Sequence, residues 1–186
     1  MKNVRHIVQI GMLAAVAIVL TLIRIPIVPN IYDLDFSEVP VLIGTFAMGP
    51  VAGILIEAIK VLFDFLMGSH TGGIGELANF LMGCALCVPA GFLYRGNKTK
   101  KRAVISLSIS IVVLIVVASL LNAYVLLPMY LGRDALDATI ASLGFAKVNG
   151  LWSFILLVCA PFNLLKGSLN SLLVILIYKK IRTILK

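Results

Sequence analysis

Lys166 and Asn163 combine strong hydrogen-bonding groups with apolar surroundings. They stand in Ala160-Pro161-Phe162-Asn163-Leu164-Leu165-Lys166, and a mostly apolar run from Leu169 to Tyr178 follows. A lysine at the centre of a membrane helix costs about 2.5–3.5 kcal/mol on translocon scales, so it persists where another charge or a ligand partners it. Other polar side chains share this setting: Glu57, Lys60 and Asp64, then Glu76 and Asn79, then Asn122. Spacing sorts them. Glu57, Lys60 and Asp64 fall at i, i+3 and i+7, so they share one helix face; Glu76 with Asn79, and Asn163 with Lys166, are each three apart and do the same. The first set reads either as a self-satisfied ion-pair stripe or as part of a site or docking face. Amides both donate and accept, whereas lysine only donates. The remaining set suits a neutral, flat ligand with mixed carbonyl and N–H edges, and the competing reading is hydrogen-bonded packing between helices.

The elements that carry these groups are membrane helices. The chain has 186 residues, of which 61% are hydrophobic and 13% charged. So few charges could not cover so much apolar surface in a soluble domain. About 20 apolar residues span a bilayer, and the hydropathy predicts helices over roughly 7–25, 38–48, 50–66, 75–94, 103–127 and 161–180. The expected fold is a single all-α membrane domain over 1–186, with six helices of which the second is short. The alternation of a membrane barrel is absent. Pro161 is placed at the start of the last helix, where proline is tolerated; the other reading makes 147–159 the first half of a longer helix kinked there.

Charge orients the bundle. Lys2 and Arg5, then Arg95, Lys98, Lys100, Lys101 and Arg102, then Lys179, Lys180, Arg182 and Lys186 make up eleven of the 16 Lys and Arg residues. With six spans these three segments lie on one side, which the positive-inside rule makes the cytoplasm, termini included. Asp33, Asp35, Glu38, Asp134 and Asp137 fall on the other side. The net charge of +8 therefore reads as topology rather than nucleic-acid binding. Glu76, Asn79, Asn122, Asn163 and Lys166 all come to the outer half, beneath an outer loop at 26–37 stiffened by Pro26 and Pro29 and a longer one at 128–160 carrying Trp152. That arrangement is a pocket opening outward.

Other features are weaker. Gly72-Gly73-Ile74-Gly75 either brings backbone close to a ligand or merely turns the chain. Gly11, Ala14 and Ala15 give the first helix a small face near the cytoplasmic side, for another helix to approach or for internal packing. Cys84 and Cys87, four residues end to end with no histidine nearby, read as small hydrophobes. No nucleotide-binding G-x-x-x-x-G-K-[ST] occurs. His6 and His70 make no hydrolase constellation. Two other classes compete with a binding subunit: an autonomous channel or carrier, and a membrane enzyme or assembly factor.

Five segments in order carry a resemblance. Asp35 to Gly44, then Gly49-Pro50-Val51-Ala52-Gly53 with Glu57-Ala58-Ile59-Lys60, look like the second and third helices of riboflavin-specific S components of energy-coupling factor (ECF) transporters. Gly72 to Phe80 resembles the start of their fourth helix, Leu121 to Tyr130 the end of the fifth, and Pro161 to Gly167 the start of the sixth. The resemblance implies that Asn122, Asn163 and Lys166 hydrogen-bond the flavin. Glu76, Asn79, Leu42 to Thr45 and the first outer loop would enclose it, with Glu76 either touching the ligand or balancing Lys166. It implies a multi-pass protein of a bacterial plasma membrane, docked through Gly11, Ala14 and Ala15 on a membrane scaffold that carries two cytoplasmic ATPases. Such a chain is not itself an enzyme, and riboflavin is its cargo, with no cofactor implied. The same fold would serve another vitamin, such as thiamine, pantothenate or folate.

Overall fold

The computed structural model describes residues 2–28, 32–69, 71–96, 98–132, 137, 140, 148 and 150–184, with the side chains of 2, 3 and 178–184 left aside. His70, Arg133, Asp134, Lys147 and Pro29 lie outside the described residues, as do Lys186 and the side chains of Lys2, Lys179, Lys180 and Arg182.

Six helices make the bundle: α1 Lys2–Leu22, α2 Glu38–Met48, α3 Pro50–Gly68, α4 Ile74–Arg95, α5 Lys100–Leu131 and α6, which runs from Leu151 to Ile184. Val4–Leu22, Ile74–Arg95, Lys100–Leu131 and Leu151–Ile177 are long and apolar enough to cross a membrane. Helix α2 is shorter, and α3 carries Glu57, Lys60 and Asp64. The apolar side chains of α1 that face outward, among them Val4, Ile7, Met12 and Val16, are satisfied by lipid.

Local chemistry sets the corners. Gly49 ends α2 with φ 106°, a conformation that favours glycine, and its N–H bonds Thr45 O at 2.9 Å. Pro50 then opens α3 at the first helical position, where its missing N–H costs nothing. Between α3 and α4, Gly72 and Gly73 take positive φ. The Ser69 hydroxyl accepts from Gly73 N at 2.9 Å, and Thr71 Oγ1 accepts from Gly75 N at 3.0 Å. Here the glycine cluster turns the chain.

The last helix starts at Leu151, not near 161, and continues through Pro161 as one element. Residues Ile155–Cys159 form a π turn in which Ala160 N bonds Ile155 O. A matching π turn, Asn122–Leu126, interrupts α5, with Leu127 N on Asn122 O. Each turn ends two residues before a proline, Pro128 or Pro161. A proline ring clashes with the carbonyl four residues back and offers no N–H, so widening the preceding turn lets the helix continue.

The outer loop folds into a hairpin. Strand β1 Ile25–Val28 pairs antiparallel with β2 Tyr32–Leu34, and Ile25 faces Leu34. Val28, Tyr32 and Leu34 turn inward and join Ala123, Leu127, Phe154, Cys159 and Phe162 in one apolar cluster. A second cluster, around Leu42, Ile56, Leu86, Leu107 and Val174, fills the bundle.

Three buried side chains sit where α2, α3 and α4 meet. Lys60 Nζ lies 2.7 Å from Glu38 Oε1 and 2.7 Å from Glu57 Oε2, all three at most 7% exposed. Asp64 pairs instead with Arg24. The stripe of Glu57, Lys60 and Asp64 is therefore only partly self-satisfied: Glu57 pairs with Lys60 inside it, whereas Lys60 also reaches Glu38 on α2 and Asp64 reaches Arg24. Gly83 on α4 lets the Glu57 carboxylate in, because a Cβ there would overlap its carboxyl group and lie 2.9 Å from its Cγ. The Gly83→Ala substitution is expected to destabilise the protein by about 1–3 kcal/mol, the usual cost of overpacking. A thermal melt in detergent reads this, and an unchanged midpoint would contradict the packing.

Candidate functional site

A cavity of about 880 Å³ lies where the two apolar clusters meet, within the roughly 300–1,000 Å³ typical of small-molecule sites. Its lining runs from Arg24, Asp33 and Met67, at the pole where α1 and α3 end, inward to Leu86 and Leu114. Glu76, Asn79, Asn122, Asn163 and Lys166 all line it. These residues come from three helices at one level, and the π turns lie beside the two asparagines of α5 and α6.

Hydrogen bonds fix what each polar group has left to offer. Asn122 Oδ1 accepts from the Tyr32 hydroxyl at 2.7 Å, and its Nδ2 donates to Ala118 O at 2.8 Å. Asn163 Nδ2 donates to Cys159 O at 2.9 Å and to Cys159 Sγ at 3.6 Å, which leaves Oδ1 as the atom it can present to a ligand, as an acceptor. Lys166 Nζ donates to Asp35 Oδ2 at 2.8 Å, and an ammonium has two further N–H donors. Glu76 Oε2 accepts from Thr71 Oγ1 at 2.8 Å. The acid paired with Lys166 is thus Asp35.

Asp35 is held on several sides. Its Oδ1 accepts from Ser37 N at 2.9 Å and from the Ser37 hydroxyl, and its backbone carbonyl accepts from Asn170 Nδ2 at 3.2 Å. Burial pushes its carboxyl up, but the Lys166 and Lys60 ammonium groups, with the hydrogen bonds from Lys166 and Ser37, more than offset this and hold it down at about 2. Tyr32 covers the site as an aromatic wall, stacked on Phe162 with ring centroids 4.8 Å apart.

Other expected site residues fall elsewhere. Leu42 and Thr45 are buried and do not line the cavity. Thr45 bonds Val41 O at 2.8 Å, and its side chain packs where Gly53 and Gly91 bring α3 and α4 close. On α1, Gly11 and Ala15 face outward, whereas Ala14 is 1% exposed and belongs to the bundle core. Helix periodicity divides that small triad: only two of its members remain on a surface. Cys84 and Cys87 are free thiols.

Asn170 and Arg24 were not expected to belong to the site, whereas Asp35 and Tyr32 stand in the first outer loop, which was expected to enclose the ligand without a role for either residue. Asn170 carried a signal, standing four residues after Lys166 and seven after Asn163 on one helix face. The Asp35–Lys166 pair bridges 131 positions, and no local pattern marks it.

Comparison with known proteins adds to this geometry. Residues 5–178 match the family described as ECF transporter, substrate-specific component. The riboflavin transporter RibU of Staphylococcus aureus is 38% identical over 188 residues, covering 100% of this chain and 95% of the relative. The riboflavin transporter FmnP of Bacillus subtilis is 31% identical, covering 97% of this chain and 93% of the relative. A solved structure described as "Structure and mechanism of the S component of a bacterial ECF transporter" superposes with a TM-score of 0.77 at 34% identity, covering 100% of this chain and 99% of that one.

Proposed function

The chain belongs to the family of ECF transporter substrate-specific components, and from that premise we propose that it is the riboflavin-binding subunit of a vitamin uptake transporter. It is a membrane transport component and not an enzyme. Riboflavin is the cargo, captured in the cavity from the side where α1, α3 and α5 end.

The observation that carries this reading is the donor and acceptor pattern at Lys166 and Asn163. Lys166 offers spare N–H donors while tied to Asp35, and Asn163 offers an acceptor. The pyrimidine edge of a flavin alternates carbonyl, N–H and carbonyl, which answers that pattern. Asn122, Asn79 and Glu76 supply further polar lining, and Phe162, Leu86 and Leu127 an apolar wall for the rings. The basic linker and termini support an outward-facing cavity in a bacterial plasma membrane. Gly11 and Ala15 are the part of α1 suited to a scaffold subunit, which in turn carries two ATPases. Leu42 and Thr45 act on the site only through packing.

The test is a riboflavin fluorescence-quenching titration of the detergent-purified chain. Saturation at one flavin per chain is the expected result. Unchanged flavin fluorescence would refute the substrate, and competition among thiamine, pantothenate and folate would then identify it. Asn163→Ala should weaken binding roughly fivefold to tenfold, the scale of one buried hydrogen bond, without lowering the melting temperature by an equivalent amount.

A further inference from the structure

We infer that Asp35 sets the charge selectivity of the cavity and turns it against anionic flavins, those carrying a phosphate on the ribityl chain. The inference rests on the riboflavin reading above.

Two cations line the cavity among the described residues, Arg24 and Lys166. Each is matched by an acid: Arg24 by Asp64, and Lys166 by Asp35. The carboxylates that line it are those of Asp33, Glu38, Asp64 and Glu76, of which Asp64 is the one that faces Arg24 and Glu38 is matched by Lys60. The Lys166 ammonium therefore presents hydrogen-bond donors to a ligand while Asp35 cancels its charge. Asp35 cannot swing away to release that charge. Lys166 holds its carboxylate and Asn170, one helical turn further along α6, holds its backbone carbonyl. Ser37 holds the other carboxylate oxygen from the backbone side.

A phosphate monoester carries about −1.5 to −2 at pH 7. Two unit charges about 10 Å apart, at an effective dielectric of about 20, interact strongly enough to change an affinity roughly tenfold. The effect falls off as the inverse of the distance between the phosphate and Lys166. With Asp35 ionised, Lys166 gives a phosphate no net attraction and the lining acids oppose it. With Asp35 neutral, Lys166 becomes an uncompensated cation.

The experiment measures dissociation constants for riboflavin and riboflavin 5′-phosphate by flavin fluorescence quenching, and reads their ratio. The wild-type chain should prefer riboflavin. Asp35→Asn should shift the ratio toward the phosphate at least tenfold, and Lys166→Met should shift it the other way. The double substitution Asp35→Asn with Lys166→Met should return it to within threefold of wild type. A purely structural role for Asp35 would weaken both flavins alike and leave the ratio unmoved. A shift below threefold in Asp35→Asn, or a wild-type chain without preference, would overturn the inference. If Asp35→Asn does not fold, Lys166→Met decides: a ratio unmoved, or moved toward the phosphate, would overturn it. Failure of the wild type to bind riboflavin at all would instead refute the substrate reading, so the two failures are distinguishable.

Discussion

Replacing Lys60 by methionine should destabilise the protein by about 3–5 kcal/mol, the cost of removing one member of a buried ion pair. Lys60 is 1% exposed and is the ammonium that faces both Glu38 and Glu57, each at 2.7 Å. Without it, two carboxylates remain in an apolar interior. A methionine fills much the same volume, so lost packing contributes little. On the usual scaling this lowers the melting temperature by roughly 6–20 °C, read in detergent by the loss of a cooperative melt or of a monodisperse elution peak. Neutralising the cluster as a whole (Lys60→Met with Glu38→Gln and Glu57→Gln) should recover most of the loss, because it removes the stranded charges as well. A Lys60→Met melt within 2 °C of wild type would show that the cluster contributes no net stability.

The second large effect is on binding. Lys166→Ala removes donors that face the cavity and leaves Asp35, 8% exposed, without its nearest cation. A hydrogen bond from a charged donor contributes about 1.5–3 kcal/mol, so riboflavin affinity should fall by roughly tenfold or more, while the stranded Asp35 carboxylate lowers the stability of the chain itself. Binding within threefold of wild type would remove Lys166 from the site. The pH dependence follows from Asp35, whose carboxyl is held down at about 2 against an ordinary value of 3.8. A lowered value means that the ionised, paired form stabilises the fold above the ordinary carboxylate range. That contribution is lost only as pH falls through about 2. The stability difference between wild type and Asp35→Asn should therefore stay constant from pH 8 down to about pH 5. A difference that collapses within that window would show that Asp35 is not held by Lys166.

Much of this protein was legible before any coordinate. Apolar runs, the short second helix and the Gly49-Pro50 corner determined a helical membrane bundle, and the one-sided distribution of Lys and Arg set the expectation of its orientation. Helical spacing alone grouped Asn163 with Lys166 and Glu76 with Asn79, and counting spans brought them to one level. These inferences succeed because transfer into lipid is additive along the chain and because backbone groups in lipid must be satisfied within the helix. Even the π turns left a trace, in Pro128 and Pro161 within apolar runs.

The pairing of the charges was decided only by tertiary structure. Lys166 found Asp35, Arg24 found Asp64, and Lys60 gathered Glu38 as well as Glu57. Leu42 and Thr45 went to packing, and Ala14 turned inward while Gly11 and Ala15 stayed outside. In a low-dielectric interior a charge pairs with whatever opposite charge the packed helices bring near it, however distant in sequence. That proximity depends on which helices pack closely enough to meet, at sites such as Gly83 and Gly91. Hydropathy and spacing act within one helix, whereas the site is a property of how several of them fit together.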